Sequence, residues 1–395
     1  MIGKKTKRFV LWCILLFIQL FSFLGMQSVV AVADQTQAER KLNESVNELL
    51  DNLDVKELEE YVRSLRDFSN ENVKERLLQF ITGEGFEYEK FGEKLGAVLL
   101  GDIRELLPAF ACITAIALLS GLLSTLGSGT LANTSANVIF LISYIASLIP
   151  LLAVVTECIR QATACVEGMK TQMNLLFPLL LTLMATSGGT VSVAICRPAV
   201  AFFSTTIVST ISSVVFPISV SIIAFSLASN LSHDLKINKF GAFFKSINKW
   251  LIGISVSVFG LFFTLQGITA STYDGVVKRT IKYAIGTGVP IVGGFLSGGF
   301  DLAIAGSILI KNALGGMSVF LLTSILFEPL VLLVSVNILL RLTSAVTQPF
   351  GDSRISDFLG ETADNLNYFT AGILFTAFLY FLCVVMMVTV SEALL

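Results

Sequence analysis

Five ionisable side chains, Arg197, Asp301, Lys311, Glu328 and Arg341, stand inside long apolar stretches of the sequence. An ionisable group at membrane depth is a candidate for guiding an ion, a proton or a solute, because a charge left unneutralised there is costly. Arg197, Asp301, Lys311 and Glu328 are therefore candidate pathway charges, with Asp301 or Glu328 as the acid that neutralises a buried cation. A competing reading puts Arg197, Lys311 and Arg341 at helix ends, from which long cationic side chains reach the headgroups. The sequence has no GxxxxGK[ST] phosphate loop, no HExxH and no GxSxG. Its single histidine, His233, cannot supply a metal cluster, and its six cysteines are scattered without a CxxC pair. The chain reads as non-enzymatic and without a cofactor, so energy for any transport must come from a gradient or another subunit.

The elements that would hold these charges are apolar and long. Of 395 residues, 54% are hydrophobic and 14% charged, with a mean hydropathy of +0.79; a water-soluble domain usually carries about a quarter charged residues. The composition is that of an all-α, polytopic membrane protein in contact with the lipid bilayer. Its charge is unevenly spread: residues 34–100 hold sixteen acids and nine bases, a net of −7. No basic stripe interleaved with aromatics is present, which argues against a nucleic-acid partner.

In chain order, Lys4, Lys5, Lys7 and Arg8 precede the apolar run Phe9 to Leu24, and Ala31-Val32-Ala33 offers a cleavage site. Residues 1–33 thus read as a signal peptide, with an uncleaved anchor as the alternative, and either puts the next segment outside the cytoplasm. Residues 34–104 read as a small extracytoplasmic helical domain. Leu42, Leu49, Leu58 and Val62 lie on narrow apolar stripes at helical spacing. Such stripes need a cover, either each other or a docked partner. Residues 105–174 read as a transmembrane hairpin followed by an amphipathic connector, in which Glu157 and Arg160, and Glu167 and Lys170, are spaced for surface ion pairs.

The remainder, 175–270 and 271–395, carries the same order of breaks twice. Pro178, Gly188-Gly189 and Pro217 are followed by Pro290, Gly298-Gly299 and Pro329, and both Pro178 to Pro290 and Pro217 to Pro329 span 112 residues. This predicts a duplicated core with broken or re-entrant helices, since Leu175 to Ala185 is too short to cross alone and Pro217 removes a backbone donor. The serines and threonines between Ser204 and Ser221 would satisfy backbone groups freed by such breaks, or line a wet path. The lysines between Lys236 and Lys249 favour the cytoplasmic side, yet Lys278, Arg279 and Lys282 come after a single span. Simple alternation cannot place both clusters inside.

The segment order, together with Leu175-Leu176-Phe177-Pro178 running to Ser187-Gly188-Gly189 and the stretch Val289-Pro290 to Gly299, resembles the stage III sporulation protein AE family over essentially the whole chain. The resemblance implies a multi-pass subunit of the mother-cell membrane around the forespore, within a secretion-like channel complex that sustains late forespore gene expression. It also implies partners: ring-forming stage III sporulation proteins, a secretion-type ATPase and a forespore channel protein. The alternative from the residues alone is a secondary permease with a midplane site between the two repeats.

Overall fold

A computed structural model describes residues 37–53, 55–64, 73–82, 89–127, 133–231, 238–288, 293–349 and 353–389. The expected signal peptide lies outside the described residues. Three short helices open the described chain: α1 (Gln37–Asn52), α2 (Lys56–Ser64) and α3 (Val73–Thr82). Each buries one apolar stripe, through Val46 and Leu50, Leu58 and Val62, and Val73 and Leu77. In α2 the acids Glu57 and Glu59 sit in the first turn and Arg63 in the last, which matches the helix dipole. Lys74 pairs with Asp51 at 2.9 Å and ties α3 to α1.

Long helices come next: α4 (Glu89–Gly127), α5 (Asn133–Thr186), α6 (Thr190–Leu231, with two π-helical turns), α7 (Asn238–Gly288), α8 (Gly293–Thr347) and α9 (Ser353–Thr389). Each contains a segment long and apolar enough to cross a membrane. α5, α7 and α8 have 54, 51 and 55 residues, so each is roughly 80 Å long at about 1.5 Å per residue. A hydrocarbon layer is about 30 Å thick. The segment 175–185, expected as a re-entrant half-helix or as the first part of a broken crossing completed by Val191 to Cys196, is instead the last part of α5. The lysines of residues 239–249 and 278–282 stand on one uninterrupted helix, α7, about 50 Å apart; a span that long can put the two clusters on opposite sides of a bilayer.

One of the expected breaks is real. At the end of α5, Gly188 has φ 96°, Gly188 N–H donates to Ala185 O at 3.0 Å and Gly189 N–H to Met184 O at 2.9 Å. This pair of bonds is a Schellman ending, and its left-handed residue favours glycine. The other expected breaks lie in continuous helix, and the structure supplies the reasons. Pro178 and Pro329 are interior to α5 and α8. The carbonyl four residues before Pro329 belongs to Ile325, and the Cys165 thiol of α5 donates to it at 3.4 Å, replacing the donor that proline lacks. Pro217 comes after a π turn (Ile211–Val215) in which Phe216 N–H bonds Ile211 O. It therefore falls in the first turn of the regular helix beyond, where a missing donor costs least. Gly298 and Gly299 lie within α8, and Pro290 is outside the described residues.

α8 and α9 form the centre as an antiparallel hairpin, with α5 against both, α4 against α5 and α8, and α6 against α9. α7 lies outside α6. The three short helices share one hydrophobic core with this bundle rather than closing a core of their own. α1 and α3 lie along α8, with Leu49 packed at Gly306 and Phe80 at Gly316, and α2 lies against α3 and α5. The Phe80 and Phe320 rings are 6.2 Å apart, and the Arg76 guanidinium lies 5.2 Å over the Phe320 ring.

The exposed face of α5 changes character along its length. From Val138 to Leu152 it presents Leu141, Ile142, Ile145 and Ile149; beyond, it presents Thr156, Arg160, Glu167, Thr171, Asn174, Thr182 and Thr186. The change falls at a girdle of charge. Glu328 of α8 lies within electrostatic reach of Asp102 of α4 and Arg160 of α5. Arg160 pairs with Glu157 at 2.5 Å and Lys170 with Glu167 at 3.7 Å, the i,i+3 pairs that their spacing predicts.

Candidate functional site

The four candidate pathway charges do not converge. Arg197 is exposed on α6 and Glu328 is exposed in the charged girdle on α8. Lys311 is fully buried, and its Nζ donates to Val388 O at 2.6 Å. Val388 lies in the last turn of α9, so Lys311 satisfies one of the carbonyls that a helix end leaves without a partner and meets the negative end of the helix dipole. Along α8, Lys311 and Glu328 are 17 residues apart, about 25 Å. The Asp301 side chain lies outside the described residues. Arg341, read as a helix-end cation, pairs with Asp364 at 2.6 Å across the α8–α9 hairpin, while its Nε donates to Asn337 Oδ1 at 2.8 Å.

That last pair belongs to a polar seam with little signal in the sequence. Asn337 Nδ2 donates to Ala363 O at 2.6 Å, and Ser344 and Ser356 exchange hydrogen bonds nearer the hairpin connection. From the α6 side, Ser226 and Asn230 donate to the Glu361 carboxylate. Tyr144 of α5 donates to Leu227 O at 2.9 Å and packs against Phe358 in a tilted ring pair with centroids 5.4 Å apart. Asn248 of α7, fully buried, donates to Ser219 Oγ of α6 at 2.7 Å. These bonds knit α5, α6, α7, α8 and α9 together where apolar packing alone would leave register loosely specified. Two acids of α9, Glu361 and Asp364, are thus interhelical acceptors.

A groove of about 480 Å³ opens between α5 and α6 just beyond the Gly188 turn, lined by Asn174, Phe177, Leu181, Val193, Arg197 and Thr205 among others. Its floor is apolar and Arg197 is its one charged wall residue. Pro178 and Pro198 both stand at exposed positions beside it. It is the place where the Ser/Thr-rich segment and the Pro178–Gly189 stretch meet.

The candidate docking residues are turned inward or against the same chain. Leu58 and Val62 are buried and Leu49 lies on Gly306; Leu42 lies outside the residues with described side chains. Tyr61, on α2, is held above its ordinary pKa by burial, with Gln172 of α5 acting the other way as hydrogen-bond partner. The narrow stripes thus find their cover on α5 and α8. Among the described residues no cluster of His, Cys, Asp and Glu suited to a metal ion is present.

The described helices form a scaffold of interlocked apolar elements in which several charges join one helix to the next. Residues 72–391 match the family described as Stage III sporulation protein AE. The chain belongs to the stage III sporulation protein AE family. It is similar to the Stage III sporulation protein AE of Bacillus subtilis (strain 168), 24% identical over 323 residues that cover 82% of this chain and 81% of that protein. No solved structure matches. The family match begins just ahead of α3, so α1 and α2 lie outside it while sharing its core. With six segments able to cross a bilayer among the described residues, this is a sporulation-related, multi-pass membrane protein of a family named for a sporulation stage rather than for an enzyme activity.

Proposed function

We propose that the chain is a non-enzymatic integral subunit of a channel complex joining the mother cell to the forespore, needed for late forespore gene expression. It sits in the mother-cell membrane around the forespore, with α1–α3 on the extracytoplasmic side. The separation of Arg197, Lys311 and Glu328 onto different faces carries this reading, because a self-sufficient permease needs its charges gathered around one solute. Lysines at the start of α7 favour the cytoplasm for that end of the bundle. α6–α7 and α8–α9 are two similar down-and-up hairpins, each with a proline about 30 residues after a Gly-Gly pair, which supports an ancestral duplication. Its partners are other stage III sporulation proteins, including ring-forming subunits, a secretion-type ATPase and a forespore channel protein.

The experiment is deletion of the gene in its own host, followed by microscopy of sporulating cells. The expected result is normal growth and complete engulfment, then shrunken forespores without late gene expression. Completed sporulation would overturn the proposal.

A further inference from the structure

The α5–α6 groove has a chemistry of its own. Between Lys170 and Asp234 the sequence contains one charged residue, Arg197. It stands exposed at the mouth of an apolar cleft of about 480 Å³, within the size range of small-ligand sites. That charge is uncommitted: among the described residues Arg197 has neither an ion-pair nor a hydrogen-bond partner, and the same holds for the side chains of Asn174 and Thr205 on the groove walls. By contrast, Thr182 and Ser204, also on the walls, donate back to the carbonyls of Pro178 and Ala201. The α6 side of the rim is apolar, with Ile195 and Phe202 exposed, and the α5 side is polar but uncharged, with Asn174 and Thr182 exposed. An uncommitted guanidinium over an apolar floor, opening through an uncharged rim, fits a ligand with one anionic head and a hydrocarbon tail.

We propose that this groove binds an anionic phospholipid. The guanidinium takes the phosphate with its forked donors, Asn174 and Thr205 add hydrogen bonds, and an acyl chain lies along Phe177, Leu181, Val193 and Val200. The chain's place in a bilayer puts such a lipid within reach, and a basic pocket between membrane helices is a known way to hold an anionic headgroup. A peptide carboxylate would also satisfy the arginine, but the apolar floor and the exposed Ile195 and Phe202 beside it suit a hydrocarbon tail and favour lipid.

The test is native mass spectrometry of the full chain in mild detergent, titrated with phosphatidylglycerol and with phosphatidylcholine of the same acyl chains. The wild type retains phosphatidylglycerol at about tenfold lower concentration. Arg197→Gln loses that preference, and Arg197→Lys keeps part of it. Ala201→Trp, which fills the groove and leaves the charge, weakens both lipids. Thermal unfolding midpoints show that each variant is folded; if Arg197→Gln is not, Arg197→Lys and Ala201→Trp decide. Equal retention of the two lipids by the wild type, unchanged preference in Arg197→Gln, or a photocrosslinker at Thr205 that captures protein instead of lipid in cells would each overturn the proposal.

Discussion

Gly372 is a position where one added carbon should be costly for a small chemical change. It lies where α9 crosses the second π turn of α6, and a Cβ there would come within 2.5 Å of Phe216 Cε1, 3.1 Å of Phe216 Cζ and 3.1 Å of Ile211 Cγ2. Real carbons do not approach to 2.5 Å, so the ring or a helix must move. The ring has little room: Phe216 is 2% exposed and packs on Phe369 with centroids 4.9 Å apart. Ile211 is fully buried as well. Gly372→Ala therefore forces α9 and α6 apart, an overpacking change of about 1–3 kcal/mol, partly offset by the better helix propensity of alanine, up to about 1 kcal/mol. The assay is thermal unfolding of the purified protein in detergent, read by loss of the monodisperse peak on size exclusion, with the double variant Gly372→Ala/Phe216→Leu as the control. Phe216→Leu alone destabilises by emptying part of a packed site. In the double variant the two defects compensate, so the loss is smaller than the sum by about 0.5–3 kcal/mol. A wild-type midpoint for Gly372→Ala, or strictly additive losses in the double variant, would refute this account of the crossing.

Three further outcomes rest on particular contacts. Lys311→Glu sets a carboxylate against the last carbonyls of α9 and lowers the amount of protein in the membrane fraction about fivefold or more by immunoblot, whereas Lys311→Met, with an apolar side chain of similar length, retains most of it. Cys165→Ser keeps a donor for the Ile325 carbonyl that Pro329 leaves bare, and Cys165→Val removes it; the unfolding midpoints should differ in favour of serine by about 1 kcal/mol, and adding Pro329→Ala should erase the difference. Cys112 is exposed on α4 while Cys158, Cys165, Cys196 and Cys383 are buried. An apolar maleimide should therefore label Cys112 in intact membranes and a charged one should not, and labelling of Cys112 by the charged reagent would show that this face of α4 meets water.

The local signals were legible because they concern residues close in sequence. The stripe through Leu58 and Val62 sits on one buried helical face, the i,i+3 pairs of α5 formed as spaced, and Gly188 ends its helix by bonds spanning six residues. Proline misled for the opposite reason. Whether Pro329 breaks a helix depends on a donor for Ile325 O, and that donor is Cys165, 160 positions away. The candidate charges carried the same ambiguity, since a lysine in an apolar run looks alike whether it reaches a headgroup or caps a distant helix, as Lys311 caps α9 across 77 positions.

By itself, then, the sequence determined an all-helical chain for a membrane, the periodicity of its short helices, the glycine turn and its family resemblance, all of which depend on composition, order and near neighbours. The tertiary structure alone decided that α1 and α3 lie on α8 and α2 on α5, that helices of roughly 80 Å run through their prolines, that Glu361 and Asp364 are interhelical acceptors, and that Arg197 stands uncommitted over a groove. Each of these depends on which faces of distant helices meet, and helical periodicity says that a face must be covered without saying by what.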